Sequence, residues 1–346
     1  MARSGAAEPR SFEVLAPARV DLAGGTLDLW PLHCFHPGSI TVNVALRRGV
    51  RVRLVAGGAP PGRIRHASPG SPPVELGRGD GARHLSAAVG FHLLPGGGFA
   101  VEVLEQPPVG SGLGASSAFA VALARACLAL DKRRLPARSL VALLRDLEAA
   151  VLAAPTGVQD YYPALLGGVL AIHLEPGGER VERLPVRLGW VEERLVVVFS
   201  GITHASGMVN WEIYRARVDG DARVAAALGE IAGAAVDCRR GLLAADENAV
   251  GEAVAVEWAA RRRLAPAVTN PTLDAIVEAG LAAGARGAKA CGAGGGGSLL
   301  FWAPPGRRAA VCAAALAAAP AGAFEIRDGL SPRGAAIRKR RAEGRG

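Results

Sequence analysis

The chain is short of lysine, of paired cysteines and of long apolar runs, and each shortage removes a class of function. Its five cysteines, Cys34, Cys127, Cys238, Cys291 and Cys312, form no CxxC pair. Neither a disulfide framework nor a structural zinc site is expected, and Cys291, inside a glycine-rich run, reads as a small apolar filler. Residues 1–13 lack the apolar core of a signal peptide and no segment reads as a membrane span, so a cytoplasmic protein without membrane contact is expected. The Walker signature, GxxxxGK followed by Ser or Thr, is also missing, which excludes an ordinary P-loop enzyme. Only Lys132, Lys289 and Lys339 are lysines; the other 37 of 40 basic residues are arginine. The net charge of +9 therefore reads as a compositional bias toward Ala, Gly and Arg rather than as a nucleic-acid patch. Its densest run, Arg338-Lys339-Arg340-Arg341, has no aromatic residues interleaved. Residues 338–346 read as a disordered, solvated tail.

With 346 residues, 50% of them hydrophobic and 21% charged, the chain is long enough for two lobes with a cleft between them. Strands are expected at 12–16 and 20–23 around Pro17, then at 42–46 and 50–54 with Gly49 at the join. Residues 57–81, rich in Gly, Pro and Ser, read as a surface excursion with little regular structure. A strand at 99–103 feeds a glycine-rich loop and then helices at 116–130 and 139–152; further strands are expected at 169–173, 195–199, 299–302 and 324–326. Helical periodicity dominates after Val209, over 221–245, 272–283 and 307–319. The fold class is α+β in two lobes, divided as 1–185 and 186–337.

The most informative stretch is Pro107-Pro108-Val109-Gly110-Ser111-Gly112-Leu113-Gly114-Ala115-Ser116-Ser117-Ala118. Three glycines let the backbone turn and its N–H groups approach an anion, and a following helix adds unpaired N–H groups and a positive dipole end. It reads as a phosphate-binding loop.

Two further segments complete a pattern. Pro17-Ala18-Arg19-Val20-Asp21-Leu22-Ala23-Gly24-Gly25-Thr26-Leu27-Asp28 resembles the N-terminal motif of the GHMP small-molecule kinases. The loop from Pro107 to Ala118 resembles their central phosphate loop, and Lys289-Ala290-Cys291-Gly292-Ala293-Gly294-Gly295-Gly296-Gly297-Ser298 resembles their C-terminal glycine motif. Gly157-Val158-Gln159-Asp160-Tyr161-Tyr162 is similar to the GxQDxY segment of the sugar-1-kinase branch that includes the D-glycero-D-manno-heptose 7-phosphate kinases. Galactokinases would carry glutamate at Gly25 and histidine at Thr26, so galactose is disfavoured. The resemblance implies a two-lobed GHMP kinase fold, with an N-terminal ATP-binding lobe like ribosomal protein S5 domain 2 and a ferredoxin-like C-terminal lobe. It implies ATP and Mg2+ as cofactors and in-line phosphoryl transfer to a sugar or sugar phosphate, at the anomeric hydroxyl.

Residue by residue, the resemblance makes Asp160 the group that accepts the hydroxyl proton, against the alternative of a helix-capping aspartate. Arg19 would hold that carboxylate ionised and offset phosphate charge, against a surface ion pair. Pro108, Gly110, Ser111, Gly112, Leu113, Gly114, Ala115, Ser116 and Ser117 would bind ATP. Asp28 would accept sugar hydroxyls, with Gly24, Gly25, Thr26, Gln159, Tyr162, His204, Gly294 and Gly295 around the substrate. For the metal, Ser116 is preferred to Ser117, and Glu148 is either its carboxylate partner or an ordinary solvent-facing helix residue. His204 stands where related heptose kinases carry arginine, which puts recognition of a second phosphate in doubt. Trp211 and Tyr214 read as core packing. Two other readings stand beside the kinase: a GHMP-fold kinase or decarboxylase of a non-sugar small molecule, and a nucleotide-binding regulator or nucleic-acid binder using its basic tail. The oligomeric state is open.

Overall fold

The computed structural model describes residues 10–203 and 206–341. The first lobe is built on an eight-stranded sheet. Its strands are β1 (Arg10–Ala23), β2 (Ile40–Pro61), β3 (Ile64–Ala67), β4 (Val74–Leu76), β5 (Gly97–Glu105), β6 (Val169–Glu175) and β7 (Gly178–Arg183), with a last strand from the C-terminal end of the chain. Helices α1 (Leu85–Leu93), α2 (Ala115–Leu130), α3 (Ala137–Leu152) and α4 (Tyr161–Leu166) belong to this lobe. A short α5 (Leu188–Glu192) leads into the second lobe, with β8 (Leu195–Phe199), α6 (Ser206–Val218), α7 (Ala222–Ala244), α8 (Glu247–Arg261), α9 (Pro271–Ala282), β9 (Gly287–Ala290), β10 (Ser298–Trp302), α10 (Arg308–Ala318) and β11 (Phe324–Glu325). Its sheet order, β11-β8-β10-β9, is the 4-1-3-2 arrangement of a ferredoxin-like lobe. Strand β12 (Ala336–Arg341) then returns to pair antiparallel with β1.

Apolar contact joins the lobes. Val20, Leu22, Val42 and Val44 of the first sheet share one buried cluster with Val197, Leu300 and Trp302 of the second. The loops at the ends of β1, β5 and β9 thereby meet where the two sheets adjoin.

Four expectations are corrected. The segments on either side of Pro17 form one strand, because the register slips between Pro17 and Arg19 and a bulge accommodates the missing N–H. The second pair is also one strand, of 22 residues, and Gly49 is no hairpin turn. It is glycine for space, since a Cβ there would lie 2.1 Å from the Ala16 carbonyl oxygen. Residues 57–81 hold the end of β2 and all of β3 and β4, the polar composition reflecting strands with an exposed face rather than their absence. Finally, Arg338 and Lys339, expected in a free tail, lie in edge strand β12 opposite Glu13 and Phe12. Basic side chains on an exposed edge oppose further strand pairing. No described helix is long and apolar enough to cross a membrane.

Candidate active site

The loop after β5 turns at Gly110, Gly112 and Gly114, all at φ near +70°. Gly112 also faces the third motif, where a Cβ would lie 2.4 Å from the Cys291 carbonyl oxygen. Ser298 N donates to Ser111 O at 2.8 Å, so the two glycine segments are hydrogen-bonded to each other. Gly114 caps α2 with no side-chain acceptor, leaving the first-turn N–H groups at Ala115, Ser116 and Ser117 for an external anion.

Arg19, on β1, is 4% exposed. Its Nε donates to Asp160 Oδ1 at 2.7 Å and its Nη1 to the Gly112 carbonyl at 2.5 Å, while its own N–H donates to Leu113 O at 3.0 Å. One side chain thus ties the first motif to the phosphate loop and to the GVQDYY segment. Burial would lower its pKa, but the charges of Asp160 and Asp21 overcome that and raise it. Asp160 stands at the N-cap of α4 without making a capping hydrogen bond; its carboxylate is turned to Arg19 instead.

Asp28 is 5% exposed and accepts the Gln159 N–H at 2.9 Å on Oδ2. Gly157 is required beside it, because a Cβ there would lie 1.8 Å from that oxygen. Burial, aided by the nearby charge of Asp160, raises the Asp28 carboxyl to about 6.

Glu148 is not solvent-facing. It continues the buried stripe of α3 after Leu140, Val141 and Leu144, accepts Ser117 Oγ–H at 2.9 Å and accepts the hydroxyl of Tyr161. Burial pushes its carboxyl up, with Ser116, Tyr161 and Ser117 opposing the rise by hydrogen bonding. Ser116 is exposed and Ser117 buried.

These groups share a cavity of about 440 Å³ lined by Arg19, Thr26, Asp28, Glu148, Gln159 and Asp160, with residues 109–117 along one side and Gly292 and Ala293 closing another. Three buried polar atoms on its wall, Ser111 Oγ, Gln159 Oε1 and Asn210 Oδ1, have no protein partner. Unpaired polar atoms at a cavity are the mark of a surface that awaits a polar ligand.

Several expected residues stand behind the wall instead. Tyr162 is 2% exposed with its hydroxyl donated to Glu179. Gly24, at φ +88°, gives its N–H to Glu257 Oε2 at 2.6 Å, and the Gly25 carbonyl accepts from Arg261 at 2.8 Å. Gly294 and Gly295 pack on Val268, with Gly295 N donating to Val268 O at 2.7 Å. Pro108 accepts the Ser111 N–H and does not line the cavity. His204 lies outside the described residues. Trp211 is 43% exposed and stacks on Tyr214 at 5.5 Å, so it is not core; Val209 and Ile213 form the buried side of α6. Cys291 is the expected filler, buried, with burial pushing its thiol up to about 12.

The expectations missed a buried charge cluster under residues 24–28. Lys289 Nζ donates to Asp21 Oδ2 at 2.8 Å and to Glu257 Oε1 at 2.6 Å. Arg261 meets the same Glu257 oxygen at 3.0 Å and reaches Thr26 Oγ1 at 3.0 Å, while Asp21 Oδ1 accepts the Gly292 N–H at 2.9 Å. All four side chains are fully buried. Burial would raise the Asp21 carboxyl, but Lys289, Arg19 and Arg261 hold it below its ordinary value. Two signals pointed here: one of only three lysines inside an apolar strand, and a Glu/Arg pair four apart on a helix face otherwise lined by Ala253, Val254 and Ala260.

A ferredoxin-like lobe joined to an eight-stranded lobe, with a glycine-rich loop beside an Arg–Asp pair, defines a two-lobed α+β architecture. The family models agree: the GHMP kinase N-terminal domain matches residues 80–168 and the GHMP kinase C-terminal domain matches residues 238–321. The chain belongs to the GHMP kinases. It is 26% identical over 201 residues to the D-glycero-alpha-D-manno-heptose 7-phosphate kinase of Campylobacter jejuni, a match that spans 57% of this chain and 58% of that relative. A D-glycero-D-manno-heptose 1-phosphate kinase structure from Bacteroides thetaiotaomicron superposes with a TM-score of 0.73 at 20% identity, covering 94% of this chain and 98% of the other. Lactococcus lactis galactokinase complexed with galactose superposes at 0.77 with 18% identity, covering 94% and 95%. At these identities the two structures are evidence of a common fold.

Proposed function

We propose that the chain transfers the γ-phosphoryl group of ATP to the anomeric hydroxyl of a sugar or sugar phosphate. The observation that carries this reading is the Arg19–Asp160 pair, set in one cavity with the glycine loop on one side and Asp28 on another. The loop N–H groups and the start of α2 hold the triphosphate. Asp28 and Gln159 orient the acceptor through its other hydroxyls. Asp160 takes the proton of the attacking hydroxyl as its oxygen bonds to phosphorus and the bond to the leaving ADP oxygen breaks. Arg19 fixes the position of Asp160 and adds positive charge beside the transferring group.

Magnesium fits the donor set. Among the described residues there is no cluster of three or more His, Cys, Asp or Glu that could cage an ion alone. Glu148 with the hydroxyls of Ser116 and Ser117 offers hard oxygen donors of the kind that hold magnesium jointly with phosphates. Bound there, the ion supplies charge neutralisation to the phosphate chain.

The test is ADP release from the full chain with ATP, magnesium and a panel of hexoses, heptoses and their phosphates, with the product analysed for a sugar 1-phosphate. Transfer that Asp160→Asn abolishes supports the proposal; no transfer to any acceptor, or transfer indifferent to Asp160→Asn, ends it.

A further inference from the structure

A second hollow, of about 290 Å³, lies beyond Asp28. It is lined by Asp28, Trp30, His33, Arg138, Arg145 and Glu179, among others, and Asp28 also lines the reaction cavity. An acceptor held at Asp28 therefore lies beside this hollow. We propose that the hollow is an acceptor subsite for a neutral, hydroxylated arm of the substrate and that it rejects a phosphate there, an inference that rests on the acceptor reading above and narrows it.

Three observations support this. Trp30, 66% exposed at the mouth, offers a flat apolar face of the kind that covers the C–H face of a polyol. His33 Nδ1 is buried without a partner, and burial, only partly opposed by nearby Leu27 and Glu179, keeps the ring below its usual range. A neutral imidazole suits a hydroxyl, which both donates and accepts. The balance of charge is the third observation. Arg138 donates to the Gly177 carbonyl, and Arg145 holds Asp146 through Nε and Nη2 at 2.9 and 2.8 Å. Against these two cations the lining sets three carboxylates, Asp28, Glu175 and Glu179, of which Glu175 meets Arg180 at 3.5 Å and Glu179 accepts the Tyr162 hydroxyl. A phosphate dianion meets a wall on which carboxylates outnumber guanidiniums, whereas hydroxyls find carboxylate acceptors.

Calorimetric titration of the full chain, with a non-hydrolysable ATP analogue present, reads the subsite without turnover. The probes are unphosphorylated D-glycero-D-manno-heptose, its 7-phosphate, and the pentose lacking the two terminal carbons. The free heptose is expected to bind about tenfold more tightly than the 7-phosphate, the size of one unfavourable charge contact in a half-enclosed site. Trp30→Ala should weaken heptose binding about tenfold and pentose binding no more than about twofold. Tighter binding of the 7-phosphate, equal losses for heptose and pentose in Trp30→Ala, or no heptose binding at all overturns the proposal. ADP release is scored separately: heptose binding as expected without phosphoryl transfer removes the kinase reading and leaves the subsite in place.

Discussion

Two groups of charges lie on either side of residues 24–28, joined where Arg19 Nη1 meets Asp21 Oδ1 at 3.7 Å, and they differ in how far solvent reaches them. At the cavity wall, Arg19 meets an Asp160 whose side chain keeps 25% of its exposure. Behind the loop, Lys289, Arg261, Asp21 and Glu257 are wholly enclosed. An enclosed charge that loses its partner has no water to replace it, so the inner cluster enforces one geometry on Gly24, Gly25, Thr26 and Gly292. The outer pair lines the cavity. Charge that lines a cavity can meet a ligand, and charge that is fully enclosed holds a loop.

The comparison makes predictions that differ in kind as well as size. Asp160→Asn should lower the turnover number by about 10² to 10⁴, the usual worth of a positioned general base, while its melting temperature stays close to wild type. An equal loss of stability would mean that the outer pair is structural too. Glu257→Ala strips Lys289 and Arg261 of a shared carboxylate, and urea unfolding should show a loss of about 3 to 5 kcal/mol. A loss below that of an exposed pair would break the contrast between the clusters.

Asp28 is the intermediate case, a buried carboxylate with no cation at hydrogen-bond distance. Its folded pKa of about 6 lies above its ordinary value of 3.8, so the folded state binds more protons between these limits and stability falls as pH rises through them. Removing the charge with Asp28→Asn should stabilise the protein at pH 8, by up to about 3 kcal/mol. The same change should raise the acceptor KM and flatten the acidic limb of kcat/KM, which in wild type should fall as pH drops through about 6. At the small end, Arg338→Ala on the exposed edge strand β12 should shift unfolding by no more than about 0.5 kcal/mol and leave transfer unchanged.

Much of this was legible in the residues because it was local. The strand before the phosphate loop and the helix after it follow from alternation at 99–103 and from three spaced glycines, since glycine is what those left-handed turns require. The continuity of β1 through Pro17 and of β2 through Gly49 was not legible. Proline and glycine signal a break in isolation, and only the neighbouring strand shows a bulge in one case and a close approach in the other.

The sequence by itself determined the glycine-rich loop with its following helix, the family pattern of three motifs, and Arg19, Asp28 and Asp160 as charged residues that the fold brings to one cavity. Tertiary structure decided which side chains face the cavity and which brace it. Asp21 and Lys289 are 268 positions apart, and Gly24 and Glu257 are 233. No periodicity or spacing pairs residues at that distance. Their pairing follows from burial, which makes an unpartnered charge costly and a shared one specific, and burial exists only once the two lobes have packed.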